Sequence, residues 1–433
     1  MKTHTTRRAL LAATAGLALS LGFLPAQSIG QDTVTLTFLV DNRPHAVSLA
    51  EGLVADFEAA NPGIKIEIET RGADAEGDNL VRTRLATEEM TDIFFYNSGS
   101  LFQALNPERT LVDLTDEPFQ ANVLDSFKSV VTAGGRLYGA PMDTAMGGGV
   151  LYNKAIYADL GLSVPKTWAE FMANNQKIKD AGIPAVIQTF GTSWTAQLFV
   201  LGDFYNVLAA EPNFPADYTA NKTKYATSPA ALKGFERQEE IFKAGFLNAD
   251  FASAELADGI RMVALGEGAH YPMLTFAIGT VAELYPENLA DVGFFALPGD
   301  DATKNGLTVW MPNALYIPKT SQNLEEAKKF LAFVASVEGC ESQTRAEGAT
   351  GPYVVKGCTL PDEVPAGVAD LLPYFQAEGM TAPALEFLSP VKGPLMPQIT
   401  VEVGSGFRSA ADGAALYDED VKKQAQQLGL AGW

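Results

Sequence analysis

Polar and aromatic side chains recur just after short apolar runs, where a strand would end and a loop begin. Asp41, Asn42, Arg43, Pro44 and His45 follow residues 34–40. Thr70 and Arg71 follow 64–69, and Tyr96, Asn97, Ser98 and Gly99 end the run that starts at 92. Asp143 and Thr144 come after Pro141, and Trp194 lies in the small-residue stretch Gly191-Thr192-Ser193. Phe276 ends the run Tyr271-Pro272-Met273-Leu274-Thr275, and Trp310 precedes Met311-Pro312-Asn313. Carboxylates and guanidinium groups make charge-assisted, often bidentate hydrogen bonds. Aromatic rings stack on flat apolar faces and add ~0.5–1.5 kcal/mol beyond the area they bury. Such a set suits reversible capture of a small polar molecule.

The same residues do not assemble a catalytic centre. A glycosidase needs two carboxylates in a groove, and with 52 acidic residues a pair can always be drawn. No Gly-x-Ser-x-Gly elbow occurs. Beyond residue 30 the only histidines are His45 and His270, far apart in sequence, and no His/Cys cluster has metal-ligand spacing. No cofactor or metal is expected. Each candidate has a plainer reading beside it. Asn42 and Arg43 fit an exposed turn, Tyr96 fits the end of a buried strand, and Asp143 fits a turn cap. Trp168 reads as packing, Trp433 as a terminal residue, and Gln398 as a residue at one end of a cleft.

The elements that must position these residues alternate. Residues 34–40 and 64–69 read as strands, with a helix over 49–58 that stops at Asn61-Pro62-Gly63. A helix over 80–89 and a strand over 92–96 follow. Strand–helix–strand order implies a parallel sheet with helices on its faces and right-handed crossovers. After Pro141 the pattern restarts with strands at 150–152, 184–188, 292–298 and 315–318. Helices are expected at 155–159, 167–181, 232–243, 323–337 and 409–428. The Pro- and Gly-dense stretch 345–398 reads as loop-rich. In open parallel sheets ligands bind beyond the carboxyl ends of the strands, which is where the candidates fall.

The ends and the composition bound the setting. Arg7 and Arg8 precede the apolar run 9–24, and small residues follow Pro25, so residues 1–30 read as a cleaved signal peptide with a loose twin-arginine match. No cysteine lies near that cleavage region, so no lipid anchor is expected. The chain carries a net charge of −21, and its first 30 residues hold bases but no acids. Phosphate neutralisation of nucleic acid and attraction to anionic lipid are thereby disfavoured. The remaining length exceeds the roughly 250–300 residues one core serves, so two lobes are expected. The two cysteines, Cys340 and Cys358, invite a disulfide in an exported chain; two buried thiols are the alternative.

The run from 138 to 171 holds Tyr138-Gly139-x-Pro141, a glycine-rich strand start, Leu151-Tyr152-Asn153-Lys154 and Pro165-Lys166-Thr167-Trp168-x-Glu170. This order resembles the extracellular solute-binding proteins that feed sugar ABC importers. Further blocks are similar: Asn61-Pro62-Gly63-Ile64, Asp92-Ile93, Gly268-Ala269-His270-Tyr271, Leu297-Pro298-Gly299 and Glu326-Ala327-Lys328-Lys329. The resemblance spans residues 34 to about 355. It implies an α/β fold of two discontinuous lobes, 32–141 plus 310–355 and 142–309 plus 356–433, closing on a hinge. It implies a sugar ligand, an ABC permease partner, a periplasmic location and a monomer. It also implies ligand contacts at Tyr96, Asn97 and Trp194; Asp143, beside the crossover, is placed to accept from ligand hydroxyls. His270 stands where the family usually has Met, and Phe276 where it often has a stacking Trp. A non-sugar ligand stays open: Asp41 and Asp143 would suit a polyamine, and Arg43 and Arg71 a glycerophosphodiester. Ferric iron is disfavoured because no Tyr-Tyr pair occurs. An exported carbohydrate-active enzyme is the remaining alternative.

Overall fold

The computed structural model describes residues 33–348 and 350–433. The expected signal peptide lies outside the described residues. Strand β1 (Val34–Asp41) is rich in β-branched and apolar residues, and it lies second in the first sheet. It pairs in parallel with β2 (Ile64–Arg71) from Val34↔Ile64 to Asp41↔Arg71, and on its other side with β3 (Ile93–Tyr96). β2 alternates buried Ile64 and Ile66 with exposed Lys65 and Glu67, which keeps this edge from pairing with another chain. Between them helix α1 (Pro44–Ala60) buries Leu49, Leu53 and Phe57. It begins earlier than expected because Pro44 suits the first helical position. Helix α2 (Ala75–Ala86) also begins early, since the Asp74 carboxylate accepts the Gly77 N–H at 2.9 Å.

A small hairpin, β4 (Thr132–Ala133) and β5 (Arg136–Leu137), precedes β6 (Gly139–Met142). Residues 143–145 then carry the chain to a second sheet at β7 (Met146–Asn153). Antiparallel β8 (His270–Leu274) pairs with one side of β7. On the other side lie β9 (Val292–Ala296) and β10 (Leu307–Trp310), both antiparallel. Residues 311–312 return the chain to the first sheet, where β11 (Asn313–Tyr316) inserts between β3 and β6. β12 (Thr381–Pro383) completes the second sheet beside β10. The molecule is thus a two-lobed α/β protein in which the chain passes between sheets at closely spaced points.

Three expectations differ from what is observed. Residues 184–188 form isolated bridges at Val186 rather than a strand. Pro184 has no N–H, and the Asn248 side chain takes both the N–H and the carbonyl of Gln188. The stretch 345–398 contains a helix, Ala366–Gln376, despite Pro373 inside it. Its apolar face of Gly367, Val368 and Leu371 packs against β9, and that burial outweighs the lost backbone bond. Helices Leu256–Leu265 and Ala277–Leu284 were not foreseen. Cys340 and Cys358 are joined, with Cα atoms 6.1 Å apart. Among the described residues no helix is long and apolar enough to cross a membrane.

Candidate functional site

The carboxyl ends of β1, β2 and β3 open on one cleft of about 400 Å³, lined by Asp41, Arg43, Arg71 and Asn97. In-register pairing of Asp41 with Arg71 sets these side chains next to each other. The Asp41 carboxylate accepts Arg43 Nε at 2.8 Å and Arg43 Nη2 at 2.7 Å, a two-pronged bond. Burial alone would raise the Asp41 pKa; the Arg43 guanidinium outweighs it and holds the carboxyl below its ordinary range. Arg43 also lies over the Phe276 ring, 5.0 Å from its centroid. Arg71 lies over the Tyr96 ring at 5.4 Å and donates from Nη1 to the Gly72 carbonyl at 2.9 Å. Among the described residues its buried Nε has no hydrogen-bond partner.

Helix α2 supplies the rest of this polar wall. Ala75, Asp78, Asn79 and Arg82 recur at helical spacing and all line the cleft. Burial pushes the Asp78 carboxyl up, with Arg71 Nη1 3.7 Å away opposing the shift.

The opposite wall is largely apolar. A helical turn over Ser193–Gln197 runs into a helix over Leu198–Gly202. Trp194, Gln197, Leu198 and Leu201 line the cleft from one face of it. Trp194 is half-buried and sits 6.2 Å from the buried Phe276, tilted by 41°. Met146, Leu274 and Leu395 add aliphatic surface. Trp310 ends β10, and its indole Nε1 donates to the Glu386 carboxylate, which also pairs with Lys392 at 2.8 Å. The Trp310 ring lies close against Gly148: a Cβ there would fall 2.1 Å from the ring, so only glycine fits.

Of the predicted residues, Arg43, Arg71, Asn97, Trp194, Phe276 and Trp310 line the cleft, and Asn42, Tyr96, Asp143 and Thr144 do not. Asn42 is exposed, and its N–H extends the β1–β2 pairing to the Arg71 carbonyl at 2.8 Å. Tyr96 is buried beneath Arg71. Gln398 is exposed and also lies off the cleft.

Asp143 turns away from the cleft into the molecule. Its carboxylate lies 2.7 Å from His45 Nε2, and His45 Nδ1 lies 3.0 Å from Glu347 Oε2. Its φ of +91° is left-handed, a strained conformation for a residue with a side chain. Gln343 Oε1 fixes it by accepting the Asp143 N–H at 2.6 Å, and Thr144 and Thr350 share its other oxygen. Burial alone would lower the His45 pKa; Asp143 and then Glu347 more than reverse this and raise it to about 9. For Asp143, burial acts upward and the His45 cation outweighs it, so its pKa falls. The network ties α1, the chain crossover and the helix Val337–Glu347 together beneath the cleft. His270 is likewise structural: it is buried between Tyr157 and Asn175, and burial lowers its pKa to about 3.

The sequence reading missed the α2 face, the aliphatic wall, and Glu386, Lys392 and Leu395. Asp74 with acids at Glu76 and Asp78 was an available start signal for α2. No local pattern marked the 386–397 segment.

The chain matches the family described as bacterial extracellular solute-binding protein over residues 44–339. It is 24% identical over 337 residues to the multiple sugar-binding protein of Streptococcus mutans, covering 76% of each chain. It is 27% identical over 286 residues to an uncharacterised ABC transporter extracellular-binding protein of Pyrococcus horikoshii, covering 65% of this chain and 63% of that one. Among solved structures, a chitin oligosaccharide binding protein superposes with a TM-score of 0.78 at 19% identity, covering 91% of this chain and all of that one. RafE in complex with raffinose gives 0.75 at 19% identity, covering 92% and 100%. A cleft at the strand ends of two sheets, with crossings at its base and a family match spanning both sheets, has one reading. The chain belongs to the bacterial extracellular solute-binding proteins.

Proposed function

We propose that this protein captures a mono- or oligosaccharide in the cleft and delivers it to the permease of an ABC importer, with no bond made or broken. The observation that carries this reading is the pairing of walls. Arg43, Arg71, Asn79 and Asn97 offer hydrogen bonds to hydroxyls, and Trp194 faces them as a partly exposed stacking surface. The relative from Streptococcus mutans, named for binding multiple sugars, supports the same class. The lobes follow the expected division, 32–141 plus 310–355 and 142–309 plus 356–433, moved by one residue at each crossing: Met142 goes with the first sheet and Trp310 with the second, and the hinge lies at 143–145 and 311–312. Arg43, Arg71, Asn97, Trp194, Phe276 and Trp310 act as the ligand-facing set. The protein works as an exported periplasmic monomer, so that both lobes move freely.

A thermal-shift screen against mono-, di- and trisaccharides, polyols, polyamines and glycerophosphodiesters tests this. A ligand that binds only the folded state adds RT ln(1 + [L]/Kd), about 2.7 kcal/mol at a hundredfold excess over Kd. A shift confined to carbohydrates is expected. A shift with amines or phosphodiesters alone would overturn the sugar assignment, and turnover of an oligosaccharide would overturn the absence of chemistry.

A further inference from the structure

The apolar wall extends beyond the Trp194 ring. A hydroxyl pressed against an aliphatic side chain loses its water partners without replacement, a cost of about 1–3 kcal/mol by mutational measures. Yet the cleft that holds Trp194 is also lined by Leu274, Pro394, Leu395 and Pro397, all at least partly exposed, over the buried Leu198 and Leu201. Leu395 is 47% exposed, more open than most large apolar side chains in the described residues.

Leu395 is also held firmly in that position. Its N–H donates to Asp420 Oδ2 at 2.7 Å, and the Gly393 N–H donates to the Tyr417 hydroxyl at 3.4 Å. A Cβ on Gly393 would lie 2.4 Å from Asp420, so the segment rests tightly on the helix Ala410–Gln427. Met396, its neighbour, is fully buried and begins a helix, Met396–Gly404, that packs against the turn carrying Trp194. Leu395 and Trp194 are therefore supported by adjoining elements. An exposed leucine on a backbone held in this way is a pre-positioned apolar contact.

We propose that the preferred ligand is a saccharide bearing an apolar substituent, an alkyl, acyl or aryl group. Its hydroxyl-rich edge faces the α2 and strand-end wall, and its substituent lies on Leu395 and the prolines beside it. The proposal rests on the saccharide reading above and goes beyond it in naming a second recognition element on the ligand.

The test is calorimetric titration of the protein with the free sugar that passes the thermal-shift screen, beside its phenyl α- and β-glycosides. One phenyl glycoside should bind at least tenfold tighter than the free sugar, equivalent to 1.4 kcal/mol. In Leu395→Ser that advantage should shrink to less than threefold. Equal or weaker binding of both glycosides by the unaltered protein overturns the proposal and leaves the sugar reading intact. So does a Leu395→Ser variant that weakens free sugar and glycoside in the same proportion, because Leu395 would then serve lobe closure. Failure of every sugar in the screen removes both readings.

Discussion

Asp143 illustrates how a residue type can be right for a cleft and still serve elsewhere. Its carboxylate, His45 and Glu347 form a buried ionic network, and removing one partner of such a pair costs about 3–5 kcal/mol. Asp143→Asn should therefore destabilise the protein by an amount in that range in urea melts, with ligand affinity changed far less than stability; a stability loss under 1 kcal/mol would sink the network's structural role. The pH dependence has a definite sign. His45 is raised from its ordinary 6.5 to about 9 on folding, so its contribution is complete below pH 6.5 and is lost as pH rises toward 9. Asp143 is lowered from 3.8, so its contribution is present above that value and fades in acid. His45→Gln should flatten stability between pH 6.5 and 9, and an unchanged slope would remove His45 as its source. Trp194→Ala should weaken ligand binding at least tenfold, about 1.4 kcal/mol. Calorimetric titration reads this directly, and an unaltered Kd would dismiss Trp194 as the stacking surface. Arg43, Arg71 and Asn97 were legible because strand ends announce themselves in sequence, and Trp194 because an aromatic stands in a small-residue loop. The turn of Asp143 away from the cleft was not, since it depends on Gln343 and Glu347, some two hundred residues away.

At the scale of elements, the site depends on how helix ends and strands are set. Helix α2 faces the cleft only if it starts at Asp74, whose side chain satisfies an otherwise free N–H. Asp74→Ala should cost about 1 kcal/mol of stability and weaken ligand binding as well, because Asp78, Asn79 and Arg82 lose their anchor. Thermal melts and titration together check it; loss of stability with full affinity would detach α2 from recognition. Strand β7 lends Met146 to the opposite wall and seats Trp310 through a glycine. Gly148 lets the Trp310 ring lie on the backbone, and Gly148→Ala should cost about 1–3 kcal/mol through overpacking. Strand β1 and helix α1 could be read from period and β-branching alone. The helix Ala366–Gln376 could not, because an interior proline argues against it locally and only burial against β9 retains it.

For the whole molecule, the chain passes between two sheets at 143–145 and 311–312, which is where the proposed hinge lies. Small-angle scattering should show a smaller radius of gyration when the ligand found by the screen is added. An identical profile with and without it would rule out closure of the lobes. The Cys340–Cys358 bridge closes a short loop and should contribute roughly 3 kcal/mol in the chain-entropy account, read as the drop in melting stability on reduction. The crossover near residue 141 came from the resemblance to the family. By itself, the sequence determined the α/β class, the parallel strand–helix–strand run at the start of the first sheet and the strand-end candidates. Each of these rests on contacts between neighbours in the chain or on periodicities of two and 3.6 residues. Only the tertiary structure decided which candidates share the cleft, that Asp143 belongs to a buried ionic network, and that an aliphatic wall built from residues 146 to 397 faces the charged one. Those outcomes depend on which distant segments pack together, and a local pattern carries no record of a partner two hundred residues away.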